Sequence, residues 1–372
     1  MSGLALVTGA DGYLGLHTAQ RLLTDTDDRL VLTVRAADRA ELDAKRNQLA
    51  SVLDTHKKRV EVVPADLTDD APLSGVTRTV TAIVHAAART AFNQSRDDAR
   101  RINVEGTARV AEYAVTCPAL DRFVLMSTLV SAGCRTGEVR ETILAGDAGF
   151  ANHYEWSKSE AELLLAERFP ELPLTVARLS TIVADDDHGH VTQYNAFHNT
   201  LKLFFYGLIT VVPGLPDTRL YLATAAATSG ALVHLAQPDT PTGVYHLAPA
   251  PHEAISLREA IDTVFDVFAT DDSFARRRLL RPEFCDQETF RHLVAATETL
   301  SASPAAGALR SVAPFAEQMF RPKQFLNTRL VQTWPGATAF ANRALVHAVC
   351  QSLVNSRWGR KPGDRPHASL AS

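Results

Sequence analysis

The chain has 372 residues, 46% of them apolar and 22% charged, with a formal charge of −4. This is ordinary for a globular protein, long enough for a large α/β domain plus an appendage, and the slight acidity gives no reason to expect a nucleic-acid partner. No apolar run reaches the roughly 18 residues that span a bilayer, so no membrane partner is expected.

Leu4–Val7 reads as a buried strand leading straight into a glycine loop. A cleaved leader would remove part of the fold, so a cytoplasmic protein is expected. Further strands are expected at Leu30–Val34, Val60–Val63, Thr79–His85, Phe123–Ser127 and Leu174–Ala177. Helices are expected between them at Leu14–Leu23, Arg39–Leu53, Arg96–Thr116 and Asn152–Phe169. Strands alternating with helices of this length imply right-handed βαβ units, and their apolar, β-branched content suits strands covered on both faces. The fold class expected is therefore α/β, a Rossmann-type doubly wound parallel sheet over residues 1–180.

The pattern changes near residue 180. Asp185-Asp186-Asp187 and His188-Gly189-His190 mark a loop, read as solvated rather than metal-binding. Helices follow at Asn195–Tyr206, Thr224–Leu235, Leu257–Phe268 and Glu283–Thr299, with a strand at Val244–Leu247. Residues 181–358 are thus expected to form a smaller, mostly helical substrate lobe, some of its segments interleaved with the sheet. Leu203–Pro213 reads as a buried helix or pocket wall, Ser301–Ala308 as a small-residue linker, and 359–372 as a disordered tail. The four cysteines, Cys117, Cys134, Cys285 and Cys350, show no metal-ligand spacing, and structural thiols are expected.

Gly9, Gly12 and Gly15 lie between the first strand and the first helix. Glycine lets backbone amides approach a phosphate closely, and the helix beginning at Tyr13-Leu14 would aim its N-terminal amides at a pyrophosphate. The spacing is G-x-x-G-x-x-G rather than G-x-G-x-x-G, so an ordinary βα turn is the competing reading. The second strand ends Thr33-Val34-Arg35 with no acid and with Arg39 close behind, which favours NADPH over NADH, because an arginine there suits a 2′-phosphate. A solvated strand-end charge is the alternative for Arg35. Asp66-Leu67 follows the third strand, where the carboxylate could take an adenine amino group or cap a turn.

Tyr154 and Lys158 lie four apart on an expected helix and share a face. Asn152 and Glu155 make a plausible start to it, as N-cap and N3. A free phenol titrates near ~10 and is a poor acid or base at neutral pH; a nearby ammonium favours the phenolate. The pair could then exchange a proton with a carbonyl oxygen as hydride moves at its carbon. A hydroxyl is still needed to fix that oxygen, and Thr128, at the carboxyl end of the fifth strand, is chosen over Ser127.

These residues resemble the extended short-chain dehydrogenase/reductase family, closest to its thioester reductase and fatty acyl-CoA reductase group, over roughly residues 3 to 250. The likeness rests on the glycine loop, Leu32–Arg35, Val63–Leu67, Ile83–Ala88 with Ala91-Phe92-Asn93, Asn103–Thr107, Ser127-Thr128 and Tyr154–Lys158. It implies that His85, Ala86 and Ala87 line the cofactor, that Asn103 steadies the neighbouring loops, and that Thr128, Tyr154 and Lys158 are catalytic. It also implies that Phe204–Pro216 walls an acyl site, and that a homodimer could form through helices 96–116 and 152–169. Two departures bear on the substrate: Arg219–Ala226 carries no acid where members commonly have one, and Arg178-Leu179-Ser180 stands where Arg-Pro is usual.

The function expected is an NADPH-dependent reductase of a carbonyl or acyl thioester, bound to CoA or to a separate carrier protein, with no metal. The alternatives are a sugar-nucleotide epimerase or dehydratase or a hydroxysteroid-type dehydrogenase of the same family, and, in another class, a non-catalytic NADP-binding sensor.

Overall fold

The computed structural model describes residues 3–297, 304–341 and 343–358. Seven strands form the central sheet: β1 (Leu4–Thr8), β2 (Arg29–Val34), β3 (Val60–Pro64), β4 (Ala82–His85), β5 (Arg122–Thr128), β6 (Leu174–Leu179) and β7 (Gly243–Leu247). They lie in the order β3-β2-β1-β4-β5-β6-β7, and every neighbouring pair is parallel. Strand order reverses between β1 and β4, so a crevice opens there at the carboxyl edge.

Continuous apolar runs become strands because both faces are covered. On one face pack α1 (Tyr13–Asp25), α2 (Arg39–Val52) and a helix at Ala225–Leu235, through Leu22, Leu23, Leu49, Leu232 and Leu235. On the other pack α3 (residues 96–114) and α4 (His153–Arg168), through Val110, Ala111, Ala114 and Leu165. The α3 segment is helical as expected but carries a π-helical turn at Arg100–Glu105.

The remaining chain builds a second core from α5 (Ala196–Phe205), α6 (Leu257–Phe268), α7 (Gln287–Ala296), α8 (Pro304–Met319) and α9 (Leu345–Asn355). Phe204 and Phe205 turn into this core, the Phe205 ring lying 5.1 Å from Phe268 and 5.5 Å from Phe274. They pack the lobe rather than wall a pocket. The strand expected at 244–247 leaves the lobe and closes the sheet as β7, beside β6.

Three expectations are corrected here. The apolar run 203–213 is helix only at its start: α5 stops at Phe205, and Val211–Pro213 is a strand paired with Glu283–Cys285. Glu283 therefore does not begin a helix; Asp286 does, its carboxylate accepting from Thr289 N at 2.7 Å, and Thr299 lies outside the described residues. Of the expected linker, 301–303 lie outside the described residues, while Pro304 opens α8, where its missing N–H costs nothing and alanines propagate the helix. The expected tail, 359–372, also lies outside the described residues. Among them no helix is long and apolar enough to cross a membrane.

Candidate active site

β1 delivers the chain into the glycine loop. Gly9 has φ +64°, and a Cβ there would lie 2.7 Å from the Ala87 Cα; a Cβ on Gly15 would lie 2.2 Å from the Gly9 carbonyl oxygen. Both positions require glycine, because the turn folds back on the first turn of α1 and against the loop after β4. Gly12 caps α1 with no side-chain hydrogen bond, and no acid lies in the first turn. The helix start thus presents backbone amides and its positive dipole end without a protein anion to neutralise them. This cradle fits the pyrophosphate of a dinucleotide.

The other residues expected around the cofactor are placed unequally. The Tyr13 hydroxyl donates to the Asp185 carboxylate, which also accepts from Thr192 Oγ1 at 2.9 Å, so this side chain ties the glycine loop to the 185–192 loop. His85 is 1% exposed. Its Nε2 reaches Thr107 Oγ1 at 3.0 Å and its Nδ1 reaches Thr8 Oγ1 at 2.7 Å. Thr107 donates its own proton to the Asn103 carbonyl, so Nε2 carries the ring proton and Nδ1 accepts. Burial, with the Lys158 charge, pushes His85 down to about 3. The imidazole is a neutral strut, which leaves Ala86, Ala87 and the backbone to face a ligand.

Asp66 uses its Oδ1 to accept from Thr68 N at 2.9 Å and Thr68 Oγ1 at 2.8 Å, the turn cap foreseen as an alternative; Leu67 beside it packs into the core. Burial works against the Asp66 charge, but the Thr68 hydrogen bonds and the Arg35 charge outweigh it and hold the carboxyl below its ordinary value. Arg35 and Asp66 thus meet at the ends of β2 and β3. A cavity of about 510 Å³ beside them is lined by Ala36, Arg39, Arg46 and Pro64 among others. Lys45, which the sequence reading passed over, joins this end to the glycine loop: its Nζ reaches Asp11 at 2.8 Å and the Arg35 carbonyl at 2.5 Å.

Asn152 caps α4 as expected, accepting from Glu155 N at 3.0 Å, and the Glu155 carboxylate accepts from Ala151 N at 3.1 Å. Tyr154 and Lys158 project from the first turns of this helix. The two hydroxyls at the end of β5 differ in their surroundings. Ser127 donates to the buried Glu162 carboxylate, whereas Thr128 Oγ1 accepts from Val130 N at 3.3 Å and acts on the Tyr154 phenol. Burial pushes the Tyr154 phenol up to about 12; the Thr128 hydrogen bond opposes this and the Glu155 charge adds to it. Lys158 is 3% exposed, and burial pushes its ammonium down to about 8 against the pull of Glu162. Glu162 is itself held by Arg178, which is fully buried and bonds it at 2.6 Å.

Asn103 sits in the π-helical turn. Its Nδ2 donates to the Arg89 carbonyl at 2.9 Å and to Ser157 Oγ at 2.9 Å, and its Oδ1 accepts from Arg89 N at 2.8 Å. Ser157 donates on to the Tyr154 carbonyl at 2.9 Å. The loop after β4 is thereby fixed to α4. Phe92 stacks on Tyr154 with ring centroids 5.4 Å apart. A groove of about 540 Å³ runs past this pair, lined by Phe92, Gln94, Phe150, His153 and Trp156 among others. The Asp185–His190 loop holds itself together, Asp186 accepting from His190 Nδ1 at 2.7 Å.

Residues 7–226 match the sequence model of the male sterility protein family. The chain belongs to that family. It is an oxidoreductase of the extended short-chain dehydrogenase/reductase type, in the thioester reductase group, and binds NAD or NADP. The isonitrile lipopeptide synthase of Streptomyces coeruleorubidus is 30% identical over 274 residues, which cover 70% of this chain and 17% of that protein. The chain therefore spans a small part of that relative's length. Among solved structures, the terminal R domain from the myxalamid PKS-NRPS biosynthetic pathway superposes with a TM-score of 0.74 at 20% identity, covering 96% of this chain and 92% of that one. The UDP-glucuronic acid 4-epimerase from Bacillus cereus, solved with NAD, superposes at 0.63 with 15% identity, covering 95% and 99%. The male sterility fold is thus shared by reductase domains and epimerases, and the site must distinguish them.

Proposed function

We propose that this male sterility family member is an NADPH-dependent reductase of an acyl thioester, carried on CoA or on a separate carrier protein. The observation that supports the reading is the placement of Thr128 at the end of β5 beside the Tyr154 phenol, with Lys158 one turn further along α4. The phenol can give its proton to a carbonyl oxygen as hydride arrives at the carbon. The relatives support the thioester: a reductase domain of the same fold is joined to a thiolation domain in an archaeal non-ribosomal peptide synthetase, and the R domain comes from a PKS-NRPS pathway.

The reduced nicotinamide, when bound, supplies the hydride. Gly9, Gly12, Gly15 and the amides of Tyr13 and Leu14 would hold the pyrophosphate, and Ala86 and Ala87 would pass close to it. Arg35, with Arg39 behind it, would meet the 2′-phosphate and so favour NADPH. At the reacting end, Thr128 donates a hydrogen bond to the substrate oxygen and Tyr154 passes its proton to it. Lys158 keeps positive charge on the same helix face and would hold the ribose hydroxyls.

The test is purified protein with NADPH or NADH and a panel of acyl-CoA and pantetheine thioesters, aldehydes and UDP-sugars, following absorbance at 340 nm and, separately, sugar epimerisation. Thioester-dependent oxidation of NADPH is expected. Epimerisation with no net cofactor consumption would replace this reading with the epimerase, and cofactor binding without turnover would replace it with a sensor.

A further inference from the structure

The family match ends at residue 226, yet the chain far beyond it returns to the start of α4. Lys323, in the short strand Lys323–Phe325, is 6% exposed, and its Nζ donates to Gln318 Oε1 at 2.6 Å. Gln318, at the end of α8, donates from Nε2 to Glu155 Oε1 at 2.8 Å. Glu155 has no exposed surface and is the residue after Tyr154. Its remaining partners are Asn152 Nδ2 at 3.0 Å and Ala151 N at 3.1 Å. A second path starts one turn earlier on α8, where Phe315 lies 4.6 Å from Phe92, the ring that stacks on Tyr154.

A buried carboxylate is costly unless charge and hydrogen bonds compensate it. Capping the helix does not demand one, since glutamine at N3 closes a capping box as well as glutamate. Burial pushes the Glu155 carboxyl up, and the hydrogen bonds of Ala151 and Gln318 with the Lys323 charge oppose this. The carboxyl lies beside the phenol, and the cation that balances it, Lys323, arrives from the second lobe through Gln318. Burial pushes the Lys323 ammonium down to about 8; Glu155 and Cys134 oppose this and Arg321 adds to it.

We propose that Gln318 and Lys323 are positioning residues for Tyr154. Through Glu155 they fix the first turn of α4, and with Phe315 behind Phe92 they hold the phenol at the carboxyl edge of the sheet. The proposal rests on Tyr154 being the proton donor, and it gives the segment 304–325 a part in the reaction.

The test is a cycle of full-chain variants assayed with NADPH and an acyl-CoA thioester: Lys323→Met, Gln318→Ala, Lys323→Arg, Glu155→Gln, and the double variant Glu155→Gln/Lys323→Met. Lys323→Met and Gln318→Ala should each lower kcat about tenfold while the thioester KM and NADPH affinity stay within about twofold. Lys323→Arg should restore most of kcat, and in the Glu155→Gln background Lys323→Met should cost less than about twofold. A wild-type kcat in Lys323→Met, an equal loss in both backgrounds, or a loss that follows NADPH affinity would overturn the proposal. If the unaltered protein turns over no thioester, the proposed function fails instead. The same cycle read as melting temperature then decides the network: Lys323→Met should lower it less in the Glu155→Gln background, and equal losses overturn the link.

Discussion

Burial disfavours the Tyr154 phenolate more than Thr128 favours it and pushes the phenol up to about 12. Tyr154→Phe should therefore abolish thioester turnover and leave NADPH affinity, measured by fluorescence titration, nearly unchanged; retained turnover would remove the mechanism. Lys158 titrates within the working range. Its folded value, about 8, lies below the ordinary 10.5, so the ammonium is present below pH 8 and lost above it. If that charge is needed, kcat should fall as pH rises through about 8, and Lys158→Arg should move this limb upward by more than about one unit, since a guanidinium stays charged. A limb that stays in place would assign the ionisation to another group. Arg35→Ala should weaken NADPH at least about tenfold more than NADH, the usual scale for a lost contact between opposite charges; equal losses would reverse the cofactor choice.

At the scale of elements, the turn from β1 into α1 tolerates little. A methyl at position 15 would lie 2.2 Å from a backbone oxygen. Gly15→Ala should therefore impair dinucleotide binding far more than it changes helix content by circular dichroism; unchanged NADPH affinity would show that the loop has room. The loop, the sheet and α4 were all legible in the sequence because each rests on local signals: short continuous apolar runs, glycine spacing, and Asn152 with Glu155 at a helix start. The commitment of Ser127 to Glu162 was not legible, since Glu162 lies on another element. The brace of Glu155 by Gln318 was illegible, since a glutamine 163 residues away leaves no periodic trace. The side-chain partners of His85 and Tyr13 were illegible, because Thr107 and Asp185 come from other elements. The run 203–213 misled because apolar residues fit a buried helix or strand equally well, and its pairing partner at 283–285 is far off in sequence.

For the molecule as a whole, two buried histidines make acid the weak side. His85 and His246 are each pushed down to about 3, chiefly by burial, and each sits in a hydrogen-bond pattern suited to the neutral ring. Their folded values lie below the unfolded one, so their neutral forms stabilise the fold fully above pH 6.5, and this stability is lost as pH falls below it. The loss is about 1.4 kcal/mol per histidine for each pH unit below 6.5. The melting temperature should thus fall steadily from about pH 6.5 downward; a flat curve to pH 5 would contradict the neutral pairings. His246 also ties the sheet to its edge, meeting Arg178 at 3.3 Å from the neighbouring strand. That edge strand, β7, is supplied by residues 243–247, long after the nucleotide-binding sequence has ended. A fragment cut after residue 180 or 226 would leave Thr175–Leu179 with a bare row of amides and carbonyls and strip Arg178 of its histidine. The cofactor half therefore cannot be excised as a portable module: recombinant pieces ending there should come out of solution as aggregates, and swaps with related enzymes should carry residues 3–325 together, since Lys323–Phe325 pairs with Gly137–Val139.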